Sequence, residues 1–153
     1  MKENQVESTP APAVERISEV NDEMFNFLET NFKDVKWDRV HLENFLSSRD
    51  NVLLIAKSGN EGAGILRGHF LQRYDDRPAE VFLNEIDVLP QYQGKRIGTF
   101  LVEELKRIGK ENGSKEVWVI TNKSNTGAMR LYEKTGGVTP LEDDVVFVYD
   151  LEG

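Results

Sequence analysis

Apolar and polar positions along the chain follow two periods, and the switches between them outline the elements. "AVERIS" (13–18) has the make-up of a short strand. From Asn21 onward, Met24, Phe27, Leu28 and Phe32 recur at the spacing of one helical face. "WDRVHLENFLSS" (37–48) predicts a second short helix with Asp38 as its N-cap. "NVLLIAK" (51–57) is an apolar run of strand length, "SGNEG" (58–62) is turn chemistry, and "AGILRGHFLQRY" (63–74) predicts the return strand of a hairpin. Gly68 inside that strand points to a bulge or to a close approach by another group. "DDRP" (75–78) turns the chain into "AEVFLNEIDVL" (79–89), a strand stopped by Pro90.

Helix and strand alternate after that. Ile97, Phe100, Leu101, Leu105 and Ile108 make one apolar helical face. Lys106, Arg107 and Lys110 fall in its final turns, where cations suit the helix dipole, and Gly113 suits the position just past its end. "EVWVIT" (116–121) predicts a buried strand, which makes Trp118 a core residue, as Trp37 is expected to be. "NTGAMRLYEKTGG" (125–137) predicts a short helix closed by two glycines, and "VVFVYDL" (145–151) a last strand. The strand–helix–strand units imply parallel pairing near the end of the chain, and the hairpin implies antiparallel pairing before it. The class is therefore α/β, with helices on the faces of a mixed sheet. Residues 1–12, polar with Pro10 and Pro12, are expected to form a flexible tail, and residues 13–153 a single domain.

Composition removes several function classes. With 153 residues the chain suits one core, and no apolar run approaches the roughly 20 residues that cross a bilayer. The opening "MKENQVESTPAPA" lacks the apolar region of a secretory signal, so a cytoplasmic location is expected. Cysteine is absent, which excludes disulfides, thiolate metal sites and an acyl-cysteine intermediate. His41 and His69 are isolated, and no metal site is expected. A formal charge of -8 disfavours nucleic acid and anionic membranes as partners and would favour a cationic substrate. Acidity that serves solubility alone gives the same number.

"PQYQGKRIGTFL" opens the long helix with a loop of different character. The first turn of a helix has backbone N–H groups without internal partners, and these favour an anion. Gly94 and Gly98 would let a bulky anion approach the main chain, and Lys95 and Arg96 add positive charge. A phosphate cradle and a plain strand-to-helix connection both fit the loop by itself. The spacings of a nucleotide P-loop and of a dinucleotide fingerprint are both absent.

"VLPQYQGKRIGTFLVEEL" resembles the acetyl-CoA loop of the GNAT acyltransferase superfamily, in which Gln or Arg is followed by x-x-G-x-G/A. In that register Arg96 stands where the family has its first motif glycine. "NTGAMRLYEKTGG" resembles the superfamily's asparagine-to-tyrosine helix, N-x-x-A-x-x-x-Y, and the element order agrees across roughly residues 13–151. The resemblance implies a mostly antiparallel sheet of about seven strands flanked by about four helices. "RYDDRPAEVFLNEIDVLPQYQGKRIG" with the ending "VVFVYDL" is further similar to aminoglycoside 3-N-acetyltransferases.

The resemblance implies direct transfer from acetyl-CoA to an amine. Gln93, Gly94, Lys95, Arg96, Ile97, Gly98 and Thr99 would hold the diphosphate, and the amides of Ile86 and Val88 the thioester. Asn125 and Ala128 would border the pantetheine arm, and Tyr132 would protonate the leaving thiolate. Asn125 is also an ordinary N-cap, and Tyr132 also reads as core. Glu85 takes the place of the general base; Asp87, two residues on, shares its side of the strand. Asp75, Asp76, Asp143 and Asp144, in loops, are candidates to contact a cationic acceptor, although such runs are commonly just solvated. The family also includes homodimers. Another acceptor amine (polyamine, amino acid or protein) and a CoA-binding module without catalysis, the latter because of Arg96, stay open from the residues alone.

Overall fold

A computed structural model describes residues 11–140 and 142–153, so most of the expected tail at 1–12 lies outside the described residues. The chain runs β1 (Ala13–Arg16), α1 (Asp22–Asn31), α2 (Arg39–Leu46), β2 (Asn51–Ser58), β3 (Glu61–Leu71), β4 (Glu80–Val88), a 3-10 turn (Pro90–Tyr92), α3 (Ile97–Glu111), β5 (Val117–Val119) and α4 (Thr126–Lys134). The strands form one sheet in the order β1-β2-β3-β4-β5. β1 to β4 are antiparallel, and β5 joins β4 in parallel, as the α3 crossover requires. No described helix is long and apolar enough to cross a membrane.

Four helices agree with expectation, but the sheet has five strands rather than about seven. The stretch 145–151 forms no strand: Val145, Val146, Phe147, Val148, Tyr149 and Leu151 are between 65% and 94% exposed. β5 is also shorter than 116–121. Composition can favour an extended backbone, yet a strand exists only where a neighbour completes its hydrogen bonds, and none of the described residues does so here.

Two apolar layers cover the sheet. Val52, Leu54, Leu66, Val81 and Leu83 meet Leu101 and Leu105 of α3 on one face. Leu53 and Ile55 meet Leu28 of α1, Phe32 just past its end and Leu42 of α2 on the other, where Trp37 also packs. β2 is apolar at successive positions because it is covered on both faces.

Two local features position α3. A Cβ on Gly64 would lie 2.9 Å from Ile97 Cγ2, 3.0 Å from Leu101 Cδ1 and 3.1 Å from the Asp87 carbonyl oxygen. The missing side chain thus lets the start of α3 rest directly on β3. The second feature is the helix start. Asn21, Asp38 and Asn125 cap α1, α2 and α4 by accepting from Met24 N, His41 N and Ala128 N. α3 begins instead at Arg96, in the left-handed region (φ 67°, ψ 14°), with no side-chain cap. This is the one non-glycine residue with positive φ among the described residues. A β-carbon there crowds the following carbonyl, at a cost of roughly 1–2 kcal/mol. That explains why glycine suits this register.

Gly64→Ala should therefore lose about 1–3 kcal/mol of unfolding free energy in urea titrations, because helix and strand must separate to admit the methyl group. Substitutions at Arg96 should rank in melting temperature as Gly above Arg above Val, the β-branched residue being the poorest fit to positive φ, with steps of about 1 kcal/mol. An unchanged melt for Arg96→Val would mean that the loop relaxes freely.

Candidate active site

β5 pairs with β4 only along Val81–Leu83, so β4 has no strand beside it on that side from Asn84 to Val88. The gap opens into a groove of about 820 Å³ between the end of β4, the first turn of α3 and α4. Ile86, Val88, Gln93, Gly94, Arg96, Ile97, Gly98, Thr99, Asn125 and Ala128 all border it. Residues 86–99 and 125–128, distant in sequence, thus meet at one cleft. Lys95 is exposed beside it, its ammonium 5.7 Å from the centre of the Tyr92 ring.

The loop is anchored at both ends. Gln93 Nε2 donates to the Val88 carbonyl at 3.2 Å, and the buried Tyr92 donates its hydroxyl to the Glu61 carboxylate on β3. The first helical amide with an internal partner is that of Phe100, which donates to the Arg96 carbonyl at 3.1 Å. The amides of Ile97, Gly98 and Thr99 precede it and receive no capping side chain. Gly94 has φ 76° and nothing within 4 Å of where a Cβ would stand, so its backbone is open. Gly98 differs from expectation: a Cβ there would meet Leu131 Cδ2 at 3.1 Å, so its smallness lets α4 pack against α3. The Arg96 guanidinium lies 5.6 Å from the Phe100 ring centre, folded back along the helix.

The groove is positive in a protein of charge -8. Arg96, Arg130 and Lys134 border it, and Asp87 is its single carboxylate. Arg130 and Lys134 escaped the sequence reading; their signal was the four-residue spacing on the helix that also carries Asn125 and Tyr132.

Tyr132 borders an adjoining cavity of about 440 Å³, lined by Leu83, Val102, Val117, Val119 and Gly136. Burial pushes its phenol pKa up from the ordinary value, so the hydroxyl keeps its proton at neutral pH and can donate it. Asn125 uses its side-chain oxygen on the Ala128 amide, at 3.1 Å, and so caps α4 at the groove wall.

β4 carries the bulge that Gly68 hinted at, on the strand opposite. Arg67 pairs with Glu85 but Gly68 with Leu83, leaving Asn84 as the extra residue. Val81 and Leu83 before it, and Ile86 and Val88 after it, all pack toward α3. Asn84, Glu85 and Asp87 are consequently turned to the other face and are exposed. Glu85 forms an ion pair with Arg67 at 3.3 Å. His69 sits in the same region: its Nδ1 is 2.9 Å from Asn51 Oδ1 and its Nε2 3.3 Å from Asn84 Nδ2. Nδ1 then donates to Asn51 and Nε2 accepts from Asn84, so the neutral ring satisfies both partners. Burial, with the nearby Arg67 charge, lowers the His69 pKa. Trp118, expected in the core, is 36% exposed and stacks on Phe82 with ring centres 4.3 Å apart. A short β5 at the end of the sheet leaves that face of the indole uncovered.

The loop acids separate into two groups. Asp75 accepts from Arg73 Nε at 2.8 Å and from Arg77 Nε at 2.9 Å, which makes it the clamp of the β3–β4 turn. Asp76, Asp143 and Asp144 are exposed, and none of the four borders the groove.

Among curated proteins the chain has no match in sequence. Solved structures share its fold. An aminoglycoside acetyltransferase, meta-AAC0020, from an uncultured soil metagenomic sample is 24% identical over 92% of this chain and 96% of that one, with a TM-score of 0.73. Aminoglycoside N-acetyltransferase AAC(6')-Iy in complex with CoA is 19% identical over 95% and 99%, with a TM-score of 0.74. A transcriptional regulator from Bacillus halodurans C-125 is 18% identical over 90% and 100%, with a TM-score of 0.68. Residues 16–137 match the acetyltransferase (GNAT) family. The chain belongs to that family and is an acetyl-CoA-dependent N-acetyltransferase.

Proposed function

We propose that the acceptor is a primary amine of a small polycation of the aminoglycoside kind. The observation that carries the cosubstrate half of this reading is the N-terminus of α3, uncapped where the other three helices are capped and bordered by Arg96, Arg130 and Lys134. Amides of the first turn and the Gly94 backbone suit a diphosphate; these cations add charge without occupying the amides. In the left-handed conformation Arg96 keeps the backbone path that a glycine would give, so the departure from the family motif leaves the cradle in place.

Acetyl-CoA supplies an activated acyl group as a thioester. The residues act around it in three places. The free edge of β4 beyond the bulge leaves main-chain donors at Ile86 and Val88 for the developing oxyanion, and such a donor is worth about 3–4 kcal/mol of barrier. Glu85 takes the proton that an ammonium must lose before its nitrogen can attack, with Arg67 holding the carboxylate in position. Tyr132 keeps its proton until the thiolate leaves.

The acceptor reading rests on two supports. The exposed face beside the cleft presents Glu85 and Asp87, which attract an amine-rich molecule. Among proteins of this fold, meta-AAC0020 has been described in complex with sisomicin. The sequence resemblance favours the 3-amino position, whereas AAC(6')-Iy carries a different position in its name. Asp76, Asp143 and Asp144, outside the groove, would act only through long-range attraction.

Acetyl-CoA with a panel of gentamicin-type aminoglycosides, polyamines, amino acids and peptide amines tests this, read by free-thiol release and by NMR of the acetylated nitrogen. The expected result is turnover with aminoglycosides and a 3-N product; turnover confined to another class, or CoA binding with no turnover, refutes the proposal. Glu85→Gln should lower kcat by about 10²-fold or more. Tyr132→Phe should slow transfer by about tenfold or more with little change in CoA affinity. A mainly weakened affinity would reverse that role.

A further inference from the structure

A bulge sets two residues of one strand against one of its neighbour, and which of the two is the extra one decides where each points. On β4 the choice lies between Asn84 and Glu85. Leu83 before them and Ile86 after them pack toward α3, so burial fixes the flanks. Asn84 and Glu85 are both exposed, and burial does not choose between them. The outcome is that Glu85 stands opposite Arg67 and Asn84 is the extra residue.

A polar chain that starts in α2 holds Asn84 there. Asn51 donates from Nδ2 to the Phe45 carbonyl at 2.9 Å. With its donor end committed, Asn51 turns Oδ1 to His69 Nδ1, 2.9 Å away. An amide oxygen only accepts, so Nδ1 carries the ring proton. A neutral ring has one such proton, which leaves Nε2 to accept from the Asn84 amide at 3.3 Å. Burial, with the Arg67 charge, keeps the ring in that neutral form. Its neighbours set its plane: Phe45 meets it edge-on with ring centres 5.9 Å apart, and Phe82 lies 6.4 Å away. Every hydrogen bond from Phe45 to Asn84 thus has one direction, and the series ends on the extra residue.

We infer that His69 is a positioning residue for acetyl transfer: through Asn84 it fixes the bulge of β4, and so sets where the Glu85 carboxylate and the main-chain donors at Ile86 and Val88 stand. This rests on the reading of Glu85 as the base and of the free β4 edge as the oxyanion donor. Arg67 and His69 are two apart on β3 and share a side of it. Arg67 holds Glu85 by an ion pair at 3.3 Å, and His69 holds the residue before it. The pair of contacts keeps the proton acceptor and the strand that carries it in one register. A displacement of about 1 Å between reacting groups is enough to cost about 10²-fold in rate.

The chain has two histidines, so NMR of the ring nitrogens in isotope-labelled protein reads the tautomer directly. His69 should carry its proton on Nδ1, the form that the bond to Asn51 selects; a proton on Nε2 overturns the inference. His69→Phe keeps a ring between Phe45 and Phe82 and removes both hydrogen bonds. In that variant amide exchange from Phe82 to Asp87 should quicken by about tenfold while α3 stays protected, and unchanged exchange in β4 overturns the inference. In acetyl transfer kcat should fall by about tenfold or more, with the KM for acetyl-CoA within about twofold. His69→Gln still offers one donor and one acceptor and should recover most of that loss. Adding Asn84→Ala to His69→Phe should cost little more than His69→Phe alone, because both act through one contact. A loss that falls on KM instead, no recovery with Gln, or additive effects would leave His69 a part of the fold only and overturn its role. The two NMR measurements need no acceptor, so a failed acceptor panel leaves them to decide the matter for His69.

Discussion

The direct seating of α3 on β3 at Gly64 is the contact on which the rest of the molecule depends. With 2.9–3.1 Å separating an imagined Cβ from Ile97, Leu101 and the Asp87 carbonyl, the helix start is held against the same strands that carry the free edge of β4. Backbone donors are useful to an anion only when their position is settled in advance, since every loose degree of freedom must be frozen on binding. Tyr92 on Glu61 and Gln93 on the Val88 carbonyl hold the loop from the other side. The loop is therefore held in place by contacts that lie outside it.

A second consequence concerns β4. The bulge at Asn84 resets which side each residue faces, so Val81, Leu83, Ile86 and Val88 all serve the α3 core while Asn84, Glu85 and Asp87 meet solvent. It also coincides with the point where β5 stops pairing. One extra residue thus separates the structural half of the strand from the half with a free edge. The neutral ring of His69, bonded to Asn51 and Asn84, supports the bulge from the neighbouring strand. A residue that is isolated in sequence gains its purpose from this network.

Charge is distributed unevenly. The chain is acidic as a whole, yet the groove collects Arg96, Arg130 and Lys134 with Asp87 as the single acidic residue beside it, while Glu85 is exposed outside it, next to Arg67. Net charge alone describes neither surface.

Much of this was legible in the residues. Helical spacing outlined α1 to α4, the caps Asp38 and Asn125 stood where their helices begin, and the loop after Pro90 marked the start of α3, which carries no side-chain cap. These are local properties, set by side-chain period and by the few residues that satisfy a helix end. What the chain could not say alone was how elements meet. Gly98, read as room for phosphate, also makes room for Leu131; Trp118 looked buried and is open; "VVFVYDL" has every mark of a strand and pairs with none of the described residues. In each case the deciding quantity is a neighbour distant in sequence, and periodicity carries no information about distant neighbours. Local pattern determined which pieces exist, and only tertiary packing decided which faces, edges and helix ends were left free to work.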